Sequence, residues 1–217
     1  MKLELYTTPI SPYARTVEIQ LAIKGVEFTR IIPERAFVRE GGFGDLNPLR
    51  KIPVLMLDGK ALPETQVICE TIEDLFPEPS LLPGTPMERS LMRLLMRTAD
   101  IYIAAPSIQL LNMTVNPYSE DVAALAAGTI EKGLAALETW IAPGPYAAGN
   151  VRSLADCAIA PFLFLFQQIL PAHGVKGLPE AGPKLTAYLD AVRQDEHVGD
   201  CMAGMEAGLQ ERMAAAG

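Results

Sequence analysis

The chain is poor in the residues that build disulfide frameworks and metal centres. It has three cysteines, two histidines and one tryptophan in 217 residues. Cys69, Cys157 and Cys201 stand far apart and are odd in number, which argues against a disulfide framework. His173 and His197 alone offer no metal-ligand cluster, so no metal is expected. Positive charge is in deficit as well: 18 Lys and Arg stand against 26 Asp and Glu, a net charge of −8. An acidic chain without a basic cluster repels phosphate backbones, so no nucleic-acid partner is expected. Long apolar runs are missing too. The most apolar stretch, residues 154–166, is shorter than the ~20 residues of a membrane helix and contains Asp156 and Pro161. It reads as a helix buried within a protein, with no membrane association. Residues 1–6 contain no apolar segment of the signal-peptide kind, and the expected location is cytoplasmic. Asn112-Met113-Thr114 spells a glycosylation sequon, but without a secretory signal it is not read as a modified site.

What is present is a globular composition, 49% hydrophobic and 20% charged, long enough to bury a real core. Lys2 to Tyr6 alternates as a strand does. Ser11 and Pro12 then read as N-cap and first residue of a helix that Gly25 stops. Residues 26–32 read as a second strand, and a strand, a helix and a strand in sequence predict a parallel βαβ unit. Residues 35–47 are Gly-rich and read as a loop; the glycine spacing is not that of a dinucleotide-binding turn. Val54 to Leu57, Asp58-Gly59 and Lys60 to Leu62 predict a hairpin, and residues 64–76 a helix. Residues 77–84 are a linker by composition. Beyond them residues 88–111, 119–140, 153–170 and 183–193 carry helical periodicity with no competing strand signal. The predicted organisation is a small α/β domain at 1–77, a linker at 78–86 and an all-helical domain at 87–217.

Three local patterns carry chemistry. Ser11-Pro12-Tyr13-Ala14 opens the first helix where a C-P-Y-C tetrapeptide would be a thiol–disulfide redox motif. With Ser11 and Ala14 at the two cysteine positions, dithiol chemistry is excluded there. What remains is a hydroxyl beside unpaired N–H groups at a helix N-terminus, a place suited to an anion. Serine as a nucleophile needs a base beside it, and there is no G-x-S-x-G elbow and no nearby histidine. Ser11 as a plain helix cap is the bland alternative. The second pattern is Asn47-Pro48-Leu49-Arg50-Lys51-Ile52-Pro53-Val54-Leu55. A proline directly before a strand often follows a cis bond, an arrangement expected to leave the Ile52 N–H and C=O outward for an extended peptide; a simple turn is the alternative. The third is Leu62-Pro63-Glu64-Thr65, in which Thr65 is expected to cap the next helix with Glu64 beside its positive end.

Together these patterns resemble the cytosolic glutathione transferase family along the whole chain, with a thioredoxin-like N-terminal domain, a short linker and an all-helical C-terminal domain. Ser153-Leu154-Ala155-Asp156, after Tyr146-Ala147-Ala148-Gly149-Asn150, looks like that family's N-capping box, with Asp156 buried for folding. The resemblance implies roles. Ser11 matches the serine that hydrogen-bonds the glutathione sulfur in the serine-type classes. Ile52, with Pro53 cis, would pair its backbone with the cysteinyl part of glutathione. Glu64 and Thr65 match the pair that holds the γ-glutamyl amine and carboxylate, and Lys51 is a partner for the glycine carboxylate. Tyr6 is a rival to Ser11, although its place in the apolar alternation reads as packing. Two departures stand out: Ala14 replaces the cysteine of some relatives, and residues 35–44 fit none of the classes.

The expected activity is attack of glutathione thiolate on a small hydrophobic electrophile, with Tyr13, Tyr102 on the stretch 101–106 and the Met-rich residues 202–213 as candidate walls. Core packing is the alternative for the methionines. A non-catalytic binding or scaffold protein of the same fold is a second reading. A glutathione-dependent isomerase or dehalogenase is a third, because thiolate activation is common to both chemistries. The family implies a homodimer, with Arg89, Arg93 and Arg97 on one helix face as a candidate contact and Asp100 reaching across it to the glutathione amine; a solvated basic stripe is the alternative.

Overall fold

The structure, a computed structural model of the chain, describes residues 1–113, 119–175 and 181–214. Thr114 of the Asn112 sequon lies outside them. The chain divides into two compact units, Met1–Leu81 with Gly199–Gly217, and Leu82–Val198.

The first unit is built on a four-stranded sheet of order β2-β1-β3-β4, from β1 (Leu3–Tyr6), β2 (Thr29–Ile31), β3 (Val54–Leu57) and β4 (Lys60–Pro63). β1 and β2 are parallel, and the other neighbours are antiparallel. The crossover from β1 to β2 is α1 (Pro12–Ile23), which packs against α4 (Thr65–Leu75). This is the thioredoxin-like mixed sheet expected of the N-terminal domain. Strand alternation buries Leu3 and Leu5 under it, while Val17, Leu21, Ile68 and Ile72 supply the helical side of the core. A buried polar tie fastens α1 to α4. The Lys24 ammonium sits 2.9 Å from the Glu73 carboxylate and donates to the carbonyls of Phe76 and Pro79, and Gln20 donates to Glu73 and the Cys69 carbonyl.

Two expectations change here. β2 is shorter than residues 26–32, because the turn at Gly25 (φ 64°) continues until the Val26 N–H reaches the Leu21 carbonyl. Residues 35–47 are not a plain loop. They form two short helices, α2 (Arg35–Arg39) and α3 (Phe43–Leu46), pinned by Phe43, which is fully buried and meets the rings of Phe37 and Tyr6 edge-on. Glycine content hid a tertiary anchor.

The second unit is helical: α5 (Pro86–Thr98), a π-helical stretch (Ala99–Ala104), α6 (Ala105–Met113), α7 (Glu120–Trp140), α8 (Leu154–Ile169) and α9 (Pro183–Val192). The last helix, α10 (Glu196–Ala214), belongs mostly to the first unit. The expected single helix at 88–111 is divided by the π-helical stretch. Pro106 has no N–H and its ring would press on the Tyr102 carbonyl, and the wider turn relieves both. α8 is buried along Leu154–Phe166 and opens with the Ser153/Asp156 capping box. Among the described residues no helix is long and apolar enough to cross a membrane.

Candidate functional site

Sheet register decides which loops meet. Tyr6 pairs with Ile31 and with Val54, and Val54 pairs with Pro63. The ends of β1, β2 and β4 and the start of β3 therefore lie at one end of the sheet. The segments attached there are Thr7 to Ser11, Ile32 to Arg35, Lys51 to Pro53, and Glu64 with Thr65. Residues separated by more than fifty positions in the chain share one rim.

The first of these segments is anchored from beneath. Glu18, 4% exposed on α1, accepts from the Thr7 hydroxyl at 2.6 Å and pairs with Arg15 at 2.7 Å and Arg30 at 3.3 Å. The other arm of Arg15, its Nε, donates to the Pro9 carbonyl at 2.9 Å. The Thr7 N–H donates to the Ile31 carbonyl. Ser11 follows as N-cap of α1, with extended φ/ψ of −80°/110°, and its Oγ accepts the Ala14 N–H at 3.3 Å. The cap uses the hydroxyl as an acceptor. Its proton has no acceptor among the described residues and remains available for an anion.

α10 lies against the same loop. A Cβ on Gly208 would sit 2.8 Å from the Pro9 Cβ, so only glycine permits this approach. Cys201 faces Arg15 from this helix, yet burial pushes its thiol up to about 12 despite the nearby guanidinium. Burial first, and then the Glu73 and Glu70 charges, raise the Cys69 thiol as well. Neither thiol is a thiolate at neutral pH. Met202 and Met205 are buried in packing, whereas Met213 is exposed.

The second segment is laced by side chains. Asn47, 2% exposed, donates to the Lys51 carbonyl at 2.8 Å and accepts the Leu49 N–H. Arg50 stands at φ 52°, and one of its guanidinium nitrogens donates to the carbonyls of Val38, Arg39 and Gly41. Ile52–Pro53 is cis. The Ile52 amide and carbonyl take no partner among the described residues, and the Lys51 side chain is exposed. The third segment departs from expectation. Glu64, not Thr65, occupies the N-cap place of α4, at φ 72° and ψ 114°, and Thr65 is the first helical residue. No side chain caps this helix end, so its first N–H groups point to the rim unsatisfied by a capping group. A non-glycine residue with these dihedrals holds about 1–3 kcal/mol of strain.

The remaining candidates lie elsewhere. The Tyr6 ring packs on Phe43. Tyr13 is the second residue of α1 and half-buried. Tyr102 belongs to the helical unit, half-exposed on the π-helical stretch, and Asp100 on that stretch pairs with Arg97 at 2.8 Å. Arg89 donates to the Pro83 and Gly84 carbonyls.

Comparison with known proteins now decides the family. The model for the glutathione S-transferase N-terminal domain matches residues 5–80, and that for the glutathione S-transferase C-terminal domain matches residues 120–191. The chain belongs to the glutathione S-transferase family. Maleylacetoacetate isomerase of Rattus norvegicus is 30% identical over 166 residues, 72% of this chain and 74% of that protein. A stringent starvation protein A homolog of Haemophilus ducreyi is 30% identical over 206 residues, covering 93% and 90%. Among solved structures, a glutathione S-transferase of Methylobacterium radiotolerans in complex with glutathione sulfonate superposes with a TM-score of 0.81 at 25% identity, over 93% of this chain and 95% of that one.

The sequence motifs gave no sign of the parts played by Glu18, Arg15 and Arg50. Arg15 and Glu18, three apart on a helix, spell an ordinary surface pair, and only a threonine directly after β1 hinted at more. Arg50 carried no signal at all, since its three carbonyl partners become neighbours only once α2 is folded.

Proposed function

We propose that this chain is a glutathione transferase that binds glutathione along the rim of the first unit and holds its sulfur as a thiolate at Ser11. The observation that carries the reading is the convergence of a spare Ser11 proton, an unpartnered Ile52 backbone and an uncapped α4 N-terminus at one sheet end. Each suits one part of the tripeptide. Ile52, preceding Pro53, pairs with the cysteinyl amide. Glu64 receives the γ-glutamyl amine, while Thr65 and the α4 N–H groups receive its carboxylate. Lys51 faces the glycine carboxylate. The relative crystallised with glutathione sulfonate supports a site of this kind.

The energetics close without a general base. A free thiol has a pKa of ~8.5, and lowering it by two units takes about 2.7 kcal/mol. A hydrogen bond from Ser11 to a thiolate supplies roughly 1.5–3 kcal/mol. The α1 N-terminus adds about 0.3–1 kcal/mol. Ser11 acts as a donor to the anion, since its hydroxyl is far too weak a base to take the thiol proton. The thiolate then attacks an electrophilic carbon of a small, largely hydrophobic co-substrate, in a cytoplasmic homodimer.

Isothermal titration with glutathione, followed by a panel of aromatic halides and activated alkenes, tests this. Micromolar-to-millimolar binding with a glutathione adduct from some member of the panel is the expected result; no binding removes the reading. The relation to maleylacetoacetate isomerase favours a second chemistry at the same site, in which the thiolate adds to a double bond, the intermediate rotates and the thiolate leaves. Product formed with no glutathione consumed identifies that case.

A further inference from the structure

The first unit contains a cleft of about 440 Å³ immediately before Ser11, lined by Thr8, Pro9, Ile10, Arg35, Glu211 and Arg212. It is an open groove whose volume falls within the range of small-molecule sites. Three separate elements build it. The loop after β1 supplies Thr8 and the apolar Pro9 and Ile10. The first residue of α2 supplies Arg35, and the last turn of α10 supplies Glu211 and Arg212. The cleft exists because Gly208 lets α10 press on Pro9, which brings residues 211 and 212 over the loop. Neither guanidinium is ion-paired with a described residue, although 26 acidic residues are available in the chain.

We propose that this cleft binds the co-substrate, and that the co-substrate is a monoanion: an apolar body on Pro9 and Ile10 with one carboxylate held between Arg35 and Arg212. Two guanidinium groups and one carboxylate leave a single net positive charge in the lining, which matches one negative charge better than the two of a phosphate monoester. The Thr8 hydroxyl donates to the same head group. In a chain of net charge −8 such a site also selects: an anion is repelled by most of the surface and is attracted here. This inference rests on the transferase reading only for the reaction that follows binding, because Ile10 joins the cleft directly to Ser11.

The test is equilibrium binding, so that it does not depend on turnover. 4-Nitrobenzoate, the neutral isostere 4-nitrobenzamide and the dianion 4-nitrophenyl phosphate are titrated into wild type, Arg35→Gln, Arg212→Gln, the double variant and Glu211→Gln. Wild type is expected to bind the carboxylate about tenfold more tightly than the amide. Each arginine variant loses about threefold of that preference and the double variant nearly all of it, with amide binding unchanged, as two solvent-facing pairs provide. Glu211→Gln strengthens the carboxylate. Equal binding of acid and amide by wild type, an unchanged preference in the double variant, or a preference for the phosphate overturns the proposal. Failure of the transferase reading looks different: wild type shows no glutathione binding while the acid preference in the cleft persists.

Discussion

At the level of single residues, a flexible connection after β1 becomes a fixed one. Ser11 performs two tasks with one hydroxyl, accepting from the Ala14 N–H and keeping its own proton for an anion. That works only if the preceding loop does not wander, and Glu18 is what holds it, through Thr7 and through Arg15 to the Pro9 carbonyl. Taking one member from a buried charge cluster leaves its partner desolvated and uncompensated, at a cost of about 3–5 kcal/mol. Glu18→Gln is therefore expected to lower the unfolding free energy by about 3 kcal/mol in urea titrations. Arg15→Met is expected to do so by a similar amount and also to raise the thiol pKa of bound glutathione, a shift that a purely structural role would not cause. Ser11 and Pro12 were legible because a cap and a first-turn proline are local chemistry. Glu18 was not, because its burial depends on Arg30 arriving on β2, which no spacing within α1 announces.

At the scale of elements, close approach decides more than propensity. Gly133 on α7 has no room for a side chain: a Cβ there would lie 2.7 Å from the Tyr102 Cβ and 3.0 Å from the Tyr102 carbonyl oxygen. Alanine would gain up to about 1 kcal/mol of helix propensity but press on backbone that cannot yield, a cost of about 1–3 kcal/mol. Gly133→Ala is thus expected to lower the melting temperature despite the better helix former. Calorimetry that shows a higher melting temperature would contradict this packing. The same reasoning explains which elements could be read in advance. Strand β1 alternates, β3 and β4 flank the Asp58-Gly59 turn, and α8 carries its capping box in four letters, so these followed from the sequence. The π-helical stretch and the paired helices α2 and α3 did not, because Pro106 can be accommodated in several ways and the anchoring of Phe43 requires Tyr6 from another element. The start of α4 was misplaced by one residue for a related reason: Glu64 adopts a positive φ that no local preference favours.

At the scale of the whole molecule, the helical unit hangs on a buried carboxylate. Asp156 is fully buried, accepting from the Ala147 and Ser153 N–H groups and from the Ser153 hydroxyl. Burial pushes its pKa up to about 6 in spite of these donors. The folded state then holds the proton more tightly than the unfolded state, whose carboxyl titrates near ~3.9. Its favourable contribution is complete below that value and is lost as the pH rises through about 6. Asp156→Asn should be less stable than wild type at every pH, for want of an acceptor. The difference should narrow between pH 5 and pH 7 by roughly 1–3 kcal/mol, as read from urea melts across that range. A difference that widens with pH would contradict the sign.

Whether the rim of the first unit holds a thiolate is read most directly from the thiolate absorbance of bound glutathione against pH, in wild type and in Ser11→Ala. A thiol titrating about two units below its solution value in wild type, and returning most of the way in the variant, is the expected result. Glutathione bound with an unshifted thiol in wild type, or a depressed thiol indifferent to Ser11, would contradict it.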